Sequence, residues 1–414
     1  MQTPPKYDHI RYYEGRLTMD AVALDSIAAE TGTPVYVYSL PRIAANLARI
    51  RAAFPAAEIH FSAKSNHNLA VLRTMVDLGV GIDAVSAGEI QLALAAGAHP
   101  KDIVLAGVAK TEPELRLAAA HGIGWVNIEN VQEAALVNHI AGELGVTVRA
   151  ALRYNPEVAA NTHPHIATGH SAAKFGLNAD DVRQLLAQRE ALSHLDIEGL
   201  HIHIGSQLHD TSGTAEAVRH ALGLIGDDPR FTTLNIGGGF PAAYTSDESL
   251  PDPATFAAAI LPLIKSRGLH LLLEPGRSLV ADAGVLLTRV LYTKTQGTQR
   301  FILVDTGMTD LIRPMLYEAH HAIVPLQEAS ATQSVIVAGP VCESTDVLGR
   351  DVLLPDIQPG ELLAVLTTGA YGMVMASNYN ARLRPPEVVI EADGRTWHMA
   401  RRRETAEDIL RLMA

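Results

Sequence analysis

The run Ile59-His-Phe-Ser-Ala-Lys64-Ser-Asn66 closes a short apolar stretch on a lysine followed by small polar residues. An unpaired ammonium facing a packed interior is costly, so lysine is rare in such a place. One use for it is chemical: a desolvated amine has a lowered pKa and can form a Schiff base with an aldehyde. For any single lysine, snorkelling out of a strand end is the commoner explanation, so its surroundings must decide. Three other stretches supply them. His203-Ile-Gly-Ser206-Gln sets a flat ring beside small residues, with His201 two positions earlier on the same face. Gly237-Gly238-Gly239 lets backbone N–H groups approach an anion closely, and Glu274-Pro275-Gly276-Arg277 joins a carboxylate to a guanidinium. Singly these are weak, because a tight turn explains three glycines and ordinary packing explains a lone histidine.

Their combination is more specific. An amine for an aldehyde, a phosphate cradle, a carboxylate that keeps a ring nitrogen protonated and a flat histidine suit pyridoxal phosphate. Its ring accepts electrons when a bond to a substrate Cα breaks. This logic leaves decarboxylation, racemisation and elimination open.

The elements that must position these groups follow from the pattern. Strand-like runs begin near Ile59, Gly81, Ile103 and Trp125, about 22 residues apart, a spacing that suits one βα unit. Further strands are expected at Val148–Tyr154, Glu198–Ile204, Thr232–Ile236 and His270–Glu274, with helical patterns between all of them. Eight strands alternating with helices predict a closed parallel (β/α)8 barrel, preceded by an extra helix from Pro41 through Phe54. Active sites of such barrels lie at the C-terminal strand ends, and the four stretches fall at the ends of the first, sixth, seventh and eighth strands. After Gly276 the texture becomes β-branched and alternating (Val285–Lys294, Arg300–Asp305, Ser334–Ala338, Leu362–Leu366, Glu387–Glu391), with a hairpin signal at Asp393-Gly394. The expectation is an α/β chain. A cofactor-binding barrel occupies residues 36–280, and a mostly antiparallel β domain is built from 281–414 and 1–35. Residues 1–35 read as polar and irregular, closing on the β-like run Val35–Tyr38.

Composition bounds the rest. The 414 residues are 48% hydrophobic, and 45 acidic against 33 basic side chains give a net charge of −12. No basic run interleaved with aromatics points to nucleic acid; Arg401-Arg-Arg403 sits beside Glu404, Glu407 and Asp408. Neither a signal peptide nor an apolar run of membrane-spanning length is present. Cys342 is the only cysteine, so an intramolecular disulfide is impossible and a reducing, cytoplasmic setting is expected.

Phe61-Ser-Ala-Lys64-Ser-Asn, His203-Ile-Gly-Ser-Gln, Gly237-Gly-Gly and Glu274-Pro-Gly-Arg together resemble the alanine-racemase-like (fold type III) pyridoxal phosphate decarboxylases. Motifs in the β half narrow the resemblance to the diaminopimelate decarboxylase family. These are Gly307-Met-Thr-Asp-Leu-Ile-Arg313-Pro-Met-Leu-Tyr317, Gly339-Pro-Val-Cys342-Glu343-Ser-Thr-Asp346, Gly369-Ala-Tyr371-Gly and Arg401-Arg-Arg-Glu-Thr405. Asn161–Gly169 with Lys174-Phe-Gly176 looks like the family's loop after strand five. The likeness runs from about residue 35 to the C-terminus, with motifs in the family's order. It implies that Lys64 holds the cofactor's aldehyde, and that His203, Ser206, Gly237, Gly238, Gly239, Glu274, Pro275, Gly276, Arg277 and Tyr371 bind pyridoxal 5′-phosphate. It further implies that Arg277, Arg313, Tyr317, Glu343 and Tyr371 contact substrate, with Cys342 as proton donor after CO2 leaves. The expected reaction is decarboxylation of meso-2,6-diaminopimelate to L-lysine by a homodimer with shared sites. No metal is expected. Thr309, Ser65, His320 and Thr345 depart from the family's usual residues, which leaves room for a related diacid substrate; the alternative function is that of a related fold type III decarboxylase acting on another amino acid such as carboxynorspermidine, ornithine or arginine.

Two other readings compete. His201-Ile-His203, and the same spacing at His163 and His165, would suit a zinc hydrolase, although no acidic partner sits at obvious ligand spacing. A non-catalytic cofactor-binding regulator is the other, opposed by the retention of Lys64, Cys342 and both arginines. Residues 155–176 are the expected lid.

Overall fold

The structure is a computed structural model that describes residues 7–158, 174–265 and 267–413. The loop motif Asn161–Gly169, the pair His163 and His165, and most of the expected lid lie outside the described residues. The chain divides into two compact units: Leu47–Pro241 with Ser249–Ser278, and Met1–Asn46 with Ala242–Glu248 and Leu279–Ala414.

The first unit is a closed barrel of eight strands, β1 (Glu58–Ser62), β2 (Gly81–Ala84), β3 (Ile103–Leu105), β4 (Trp125–Ile128), β5 (Val148–Arg153), β6 (Leu195–His201), β7 (Thr233–Asn235) and β8 (His270–Leu273). All neighbours pair in parallel, and β8 closes on β1 through Leu272 opposite Glu58 and Leu273 opposite Ile59. Val104, Trp125, Ala151 and Leu272 form an apolar cluster, and Gly199 makes room for it: a Cβ there would lie 2.8 Å from the Trp125 ring. Several of the connecting helices begin on Asn or Ser caps that the sequence supplies. Ser86, Asn130 and Asn178 each accept a first-turn N–H, and Gly122 and Gly145 end their helices in the left-handed region.

β6 differs from expectation. It begins at Leu195, opposite Val148, and ends at His201, so His203 and Ser206 belong to the connection that follows it rather than to its end. The alternation that decides this starts earlier than the apolar run suggests, with Leu195 and Ile197 buried and Asp196 exposed. One further main-chain bond, Ile202 N–H to Asn235 carbonyl at 2.8 Å, carries the chain past β7 before it turns away.

The second unit is a mostly antiparallel sheet. The long strand Gly284–Gln296 pairs with Gln299–Val304, Leu362–Val365 and Val35–Ser39, and the last of these runs parallel to Glu387–Ile390. The Asp393-Gly394 signal is a hairpin turn: Asp393 accepts from the Arg395 and Thr396 N–H groups, and Ile390 faces Trp397. Residues 10–31 are not irregular. Ile10–Tyr13 and Arg16–Met19 form a hairpin through Glu14 and Gly15, both at positive φ, followed by Val22–Ala23 and the helix Leu24–Thr31. Ile10, Leu17, Met19, Leu24 and Ile27 enter the same core as Val35, Val37, Val285 and Val388. Their alternation is short and set among charges, which hid it. The strand Val347–Leu354 was likewise not anticipated.

Candidate active site

At the C-terminal end of β1 the chain tightens into a 3-10 turn, Ala63–Ser65, that carries Lys64. Its Nζ lies 4.0 Å from Asp83 Oδ2 on β2; the lysine side chain is 43% exposed and the aspartate 1%. Ser62 Oγ donates to the same oxygen at 2.6 Å. Burial, reinforced by the charge of Glu274, pushes the Asp83 carboxyl above its ordinary range despite the opposing pull of Lys64 and Ser62. Asp83 was missed by sequence reading. The available signal was a carboxylate inside the apolar run Gly81–Val85.

Glu274, just past β8, is buried and both carboxylate oxygens have donors. Asn235 Nδ2 donates to Oε1 at 2.6 Å and His201 Nε2 lies 3.2 Å from Oε2. Burial alone would raise its pKa; the charge and hydrogen bond of His201, the Asn235 amide and the Lys64 charge outweigh it, so the group stays ionised. The His201-Ile-His203 pair therefore divides its work. His201 turns to Glu274, whereas His203 Nδ1 accepts the Gly238 N–H at 3.3 Å. Burial first, then the charge of Lys64, holds His203 far below its ordinary value, so its ring is neutral.

The glycines are required by contact rather than by turn shape alone. A Cβ on Gly238 would sit 2.5 Å from the Glu274 carbonyl, one on Gly237 2.6 Å from His203 Nδ1, and one on Gly239 2.7 Å from Leu208 Cδ1. Gly276 is pressed on Ser62 and Ser65 in the same way, and Ser62 N–H donates to the Pro275 carbonyl at 3.1 Å. Arg277 reaches Ser206 Oγ through Nε at 3.3 Å and Nη2 at 3.2 Å. The barrel unit thus gathers Lys64, His203, Ser206, the glycine turn and Glu274–Arg277. These residues fit pyridoxal phosphate: an amine for the aldehyde, N–H groups without side chains for the phosphate, and an ionised carboxylate for the ring nitrogen.

A further buried pair borders this end of the barrel. Arg153 donates to Glu129 Oε1 at 2.5 Å, and Glu129 Oε2 accepts the Gly176 N–H at 2.8 Å. With the Phe175 ring 4.7 Å from the Arg153 guanidinium, the Lys174-Phe-Gly176 segment is anchored where the expected lid ends.

The second unit carries the remaining expected residues. Arg313 is buried at the start of the short helix Arg313–Tyr317, its guanidinium 4.8 Å above the Tyr244 ring and its Nη1 2.8 Å from His321 Nε2. Tyr244 and His321 gave no signal in the sequence; their rings meet each other edge-on, 5.3 Å between centres, although they stand far apart in the chain. Tyr317 is half-buried. Cys342 through Thr345 are exposed in the single chain; Cys342 N–H donates to Asn380 Oδ1 at 3.2 Å and Tyr379 OH donates to Glu343 Oε1 at 2.5 Å. Asp346 ties this turn down by accepting the Val341 and Met308 N–H groups. Tyr371 has positive φ between Gly369, packed on the Val280 carbonyl, and Gly372.

A lysine set against buried carboxylates beside a glycine turn too tight for side chains is the equipment of a barrel enzyme that works through an aldehyde cofactor bearing a phosphate. Residues 40–281 match the family model described as pyridoxal-dependent decarboxylase, pyridoxal binding domain. The chain belongs to that family, on its diaminopimelate decarboxylase branch. It is 41% identical to the diaminopimelate decarboxylase of Aquifex aeolicus, covering 92% of both chains. To that of Pseudomonas aeruginosa it is 40% identical, over 97% of this chain and 98% of the relative. The solved M. jannaschii diaminopimelate decarboxylase in co-complex with L-lysine superposes with a TM-score of 0.92 at 35% identity, covering 97% of each chain.

Proposed function

We propose that the chain decarboxylates meso-2,6-diaminopimelate to L-lysine and CO2, the last step of lysine biosynthesis, in the cytoplasm and as a homodimer. Bound at the barrel's strand ends, pyridoxal 5′-phosphate supplies the electron sink for the carbanion left by CO2. Lys64 would hold the aldehyde, with the buried Asp83 carboxylate 4.0 Å from its Nζ. Ionised Glu274 would accept the hydrogen bond of a protonated ring nitrogen, neutral His203 would stack on the ring, and the Gly237–Gly239 turn, Ser206, Gly276, Arg277 and Tyr371 would hold the phosphate end.

The substrate is a diacid, and one observation supports that choice over a simple diamine precursor: Arg313 is buried and pre-oriented by His321 and Tyr244. A planar guanidinium held in this way suits a carboxylate that survives the reaction. Arg277, Tyr317, Glu343 and Tyr371 complete substrate contacts, with Glu343 matching the distal ammonium, and Cys342 Sγ delivers the proton to Cα. Four successive exposed residues, Cys342–Thr345, together with exposed Leu316 and Tyr379, support burial of this turn against a second copy.

The test is lysine release from meso-diaminopimelate, compared with product release from ornithine, arginine and carboxynorspermidine. Preference for any of the latter overturns the assignment. Borohydride should fix the cofactor on Lys64, and sedimentation should give twice the mass of the chain.

A further inference from the structure

Asn235 joins two parts of the cofactor site that are separate in sequence. Its Nδ2 donates to Glu274 Oε1 at 2.6 Å while its Oδ1 accepts the Gly237 N–H at 2.8 Å. The Gly237 carbonyl in turn accepts the Glu274 N–H at 2.8 Å, so the ring of hydrogen bonds closes through the backbone. The amide's orientation is forced, because only its nitrogen can face a carboxylate and only its oxygen an N–H. His201, at the end of β6, holds the other carboxylate oxygen. Asn235 and His201 are both 2% exposed and Glu274 7%, so water does not substitute for these donors.

We propose that Asn235 and His201 are positioning residues that act through Glu274, holding its carboxylate ionised and aimed before the cofactor arrives, with Asn235 locking it to the glycine turn as one body. This rests on the reading that Glu274 meets the ring nitrogen and Gly237–Gly239 the phosphate. The physical argument is one of stranded charge. A buried carboxylate deprived of a donor moves toward its neutral form, and a neutral carboxyl no longer holds a protonated ring nitrogen. The charged and titratable groups facing Glu274 are His201 on β6, His203 beyond it, Asp83 on β2 and Lys64 after β1. Of these, His201 is the one in hydrogen-bond contact with it.

Asn235→Asp tests the coupling without changing size. It keeps an acceptor for the Gly237 N–H but sets a second carboxylate where the donor was, and two carboxylates at that distance must share a proton. His201→Gln keeps a donor near Nε2, whereas His201→Met removes it. Full-length variants are loaded with pyridoxal phosphate, and its dissociation constant and absorption spectrum are read, with thermal melting as a check on folding. Asn235→Asp and His201→Met should each raise the dissociation constant about tenfold or more and alter the bound cofactor's absorption, while His201→Gln should stay within about threefold. A dissociation constant and spectrum unchanged in Asn235→Asp, or His201→Met and His201→Gln behaving alike, would overturn the proposal. Glu274→Gln separates the layers. If it too leaves affinity and spectrum unchanged, the underlying reading of Glu274 fails; if it alone changes them, only the coupling fails.

Discussion

His321 fixes Arg313 through a two-bond relay: Nε2 accepts from Arg313 Nη1 at 2.8 Å, and Nδ1–H donates to the Leu366 carbonyl at 2.9 Å. The two bonds leave one tautomer, a neutral ring with its lone pair on the guanidinium. Tyr244 packs edge-on to His321, ring centres 5.3 Å apart, so two side chains in mutual contact define where the arginine points. Arg313 is therefore oriented by buried packing rather than left as a mobile surface residue.

Removing that arginine should be costly. Arg313→Ala is expected to lose roughly 2–5 kcal/mol in kcat/KM for meso-diaminopimelate. Arg313→Lys should not restore it, because an ammonium cannot make the paired contacts of a guanidinium. His321→Ala should raise KM with a smaller effect on kcat. Steady-state kinetics on the three variants checks this, and an unchanged kcat/KM in Arg313→Ala would contradict the substrate assignment.

Cys342→Ala should separate binding from proton delivery. The dissociation constant for pyridoxal phosphate is expected to stay near that of the unmodified enzyme. Turnover should fall by about 10²–10⁴, the usual worth of a positioned acid. Equal turnover would remove Cys342 from the mechanism.

Glu89 makes stability depend on pH. Burial first, and then the charge of Asp83, raise its carboxyl to about 7, although the Val85 N–H bonded to it works the other way. The folded state therefore holds a proton that the unfolded chain releases near its ordinary pKa. That stabilisation is complete below the unfolded value and is lost as pH rises towards 7. Glu89→Gln should remove the loss. The variant is expected to gain about 1–3 kcal/mol relative to the parent between acid and pH 8, read from denaturant melts across that range. Parallel curves for the two proteins would refute the assignment.

Gly238→Ala tests the cradle. The added methyl would fall 2.5 Å from the Glu274 carbonyl, a backbone atom that cannot turn aside. The turn must shift, at about 1–3 kcal/mol. Cofactor affinity should drop more than thermal stability, measured by dialysis against pyridoxal phosphate and by melting temperature. Retention of full affinity would show that the turn's close packing is not needed for the phosphate.

Much of the candidate site was legible because it is built from uncommon residues just past strand ends. Lys64, Gly237–Gly239 and Glu274–Arg277 stand out against apolar runs whose spacing already implied a barrel. The groups that were overlooked hold reactive residues in place: Asp83 beneath the lysine, Asn235 against Glu274, and Tyr244 and His321 around Arg313, while His201, noted only beside His203, turns to Glu274 instead. Each is an ordinary residue type whose part depends on a side-chain contact that residue order does not display, most of them with a distant stretch of the chain.

By itself, the order of residues determined that strands and helices alternate into a barrel, that a mostly antiparallel sheet accompanies it, and where uncommon side chains stand along the chain. Local periodicity and steric preference act over a few positions, so they can be read from neighbours. Tertiary structure alone decided that β6 ends at His201, that residues 10–31 fold into the sheet unit's core, and that Glu274 stays charged while His203 stays neutral. Burial and charge are properties of a closed interior, and they exist only after distant segments have met.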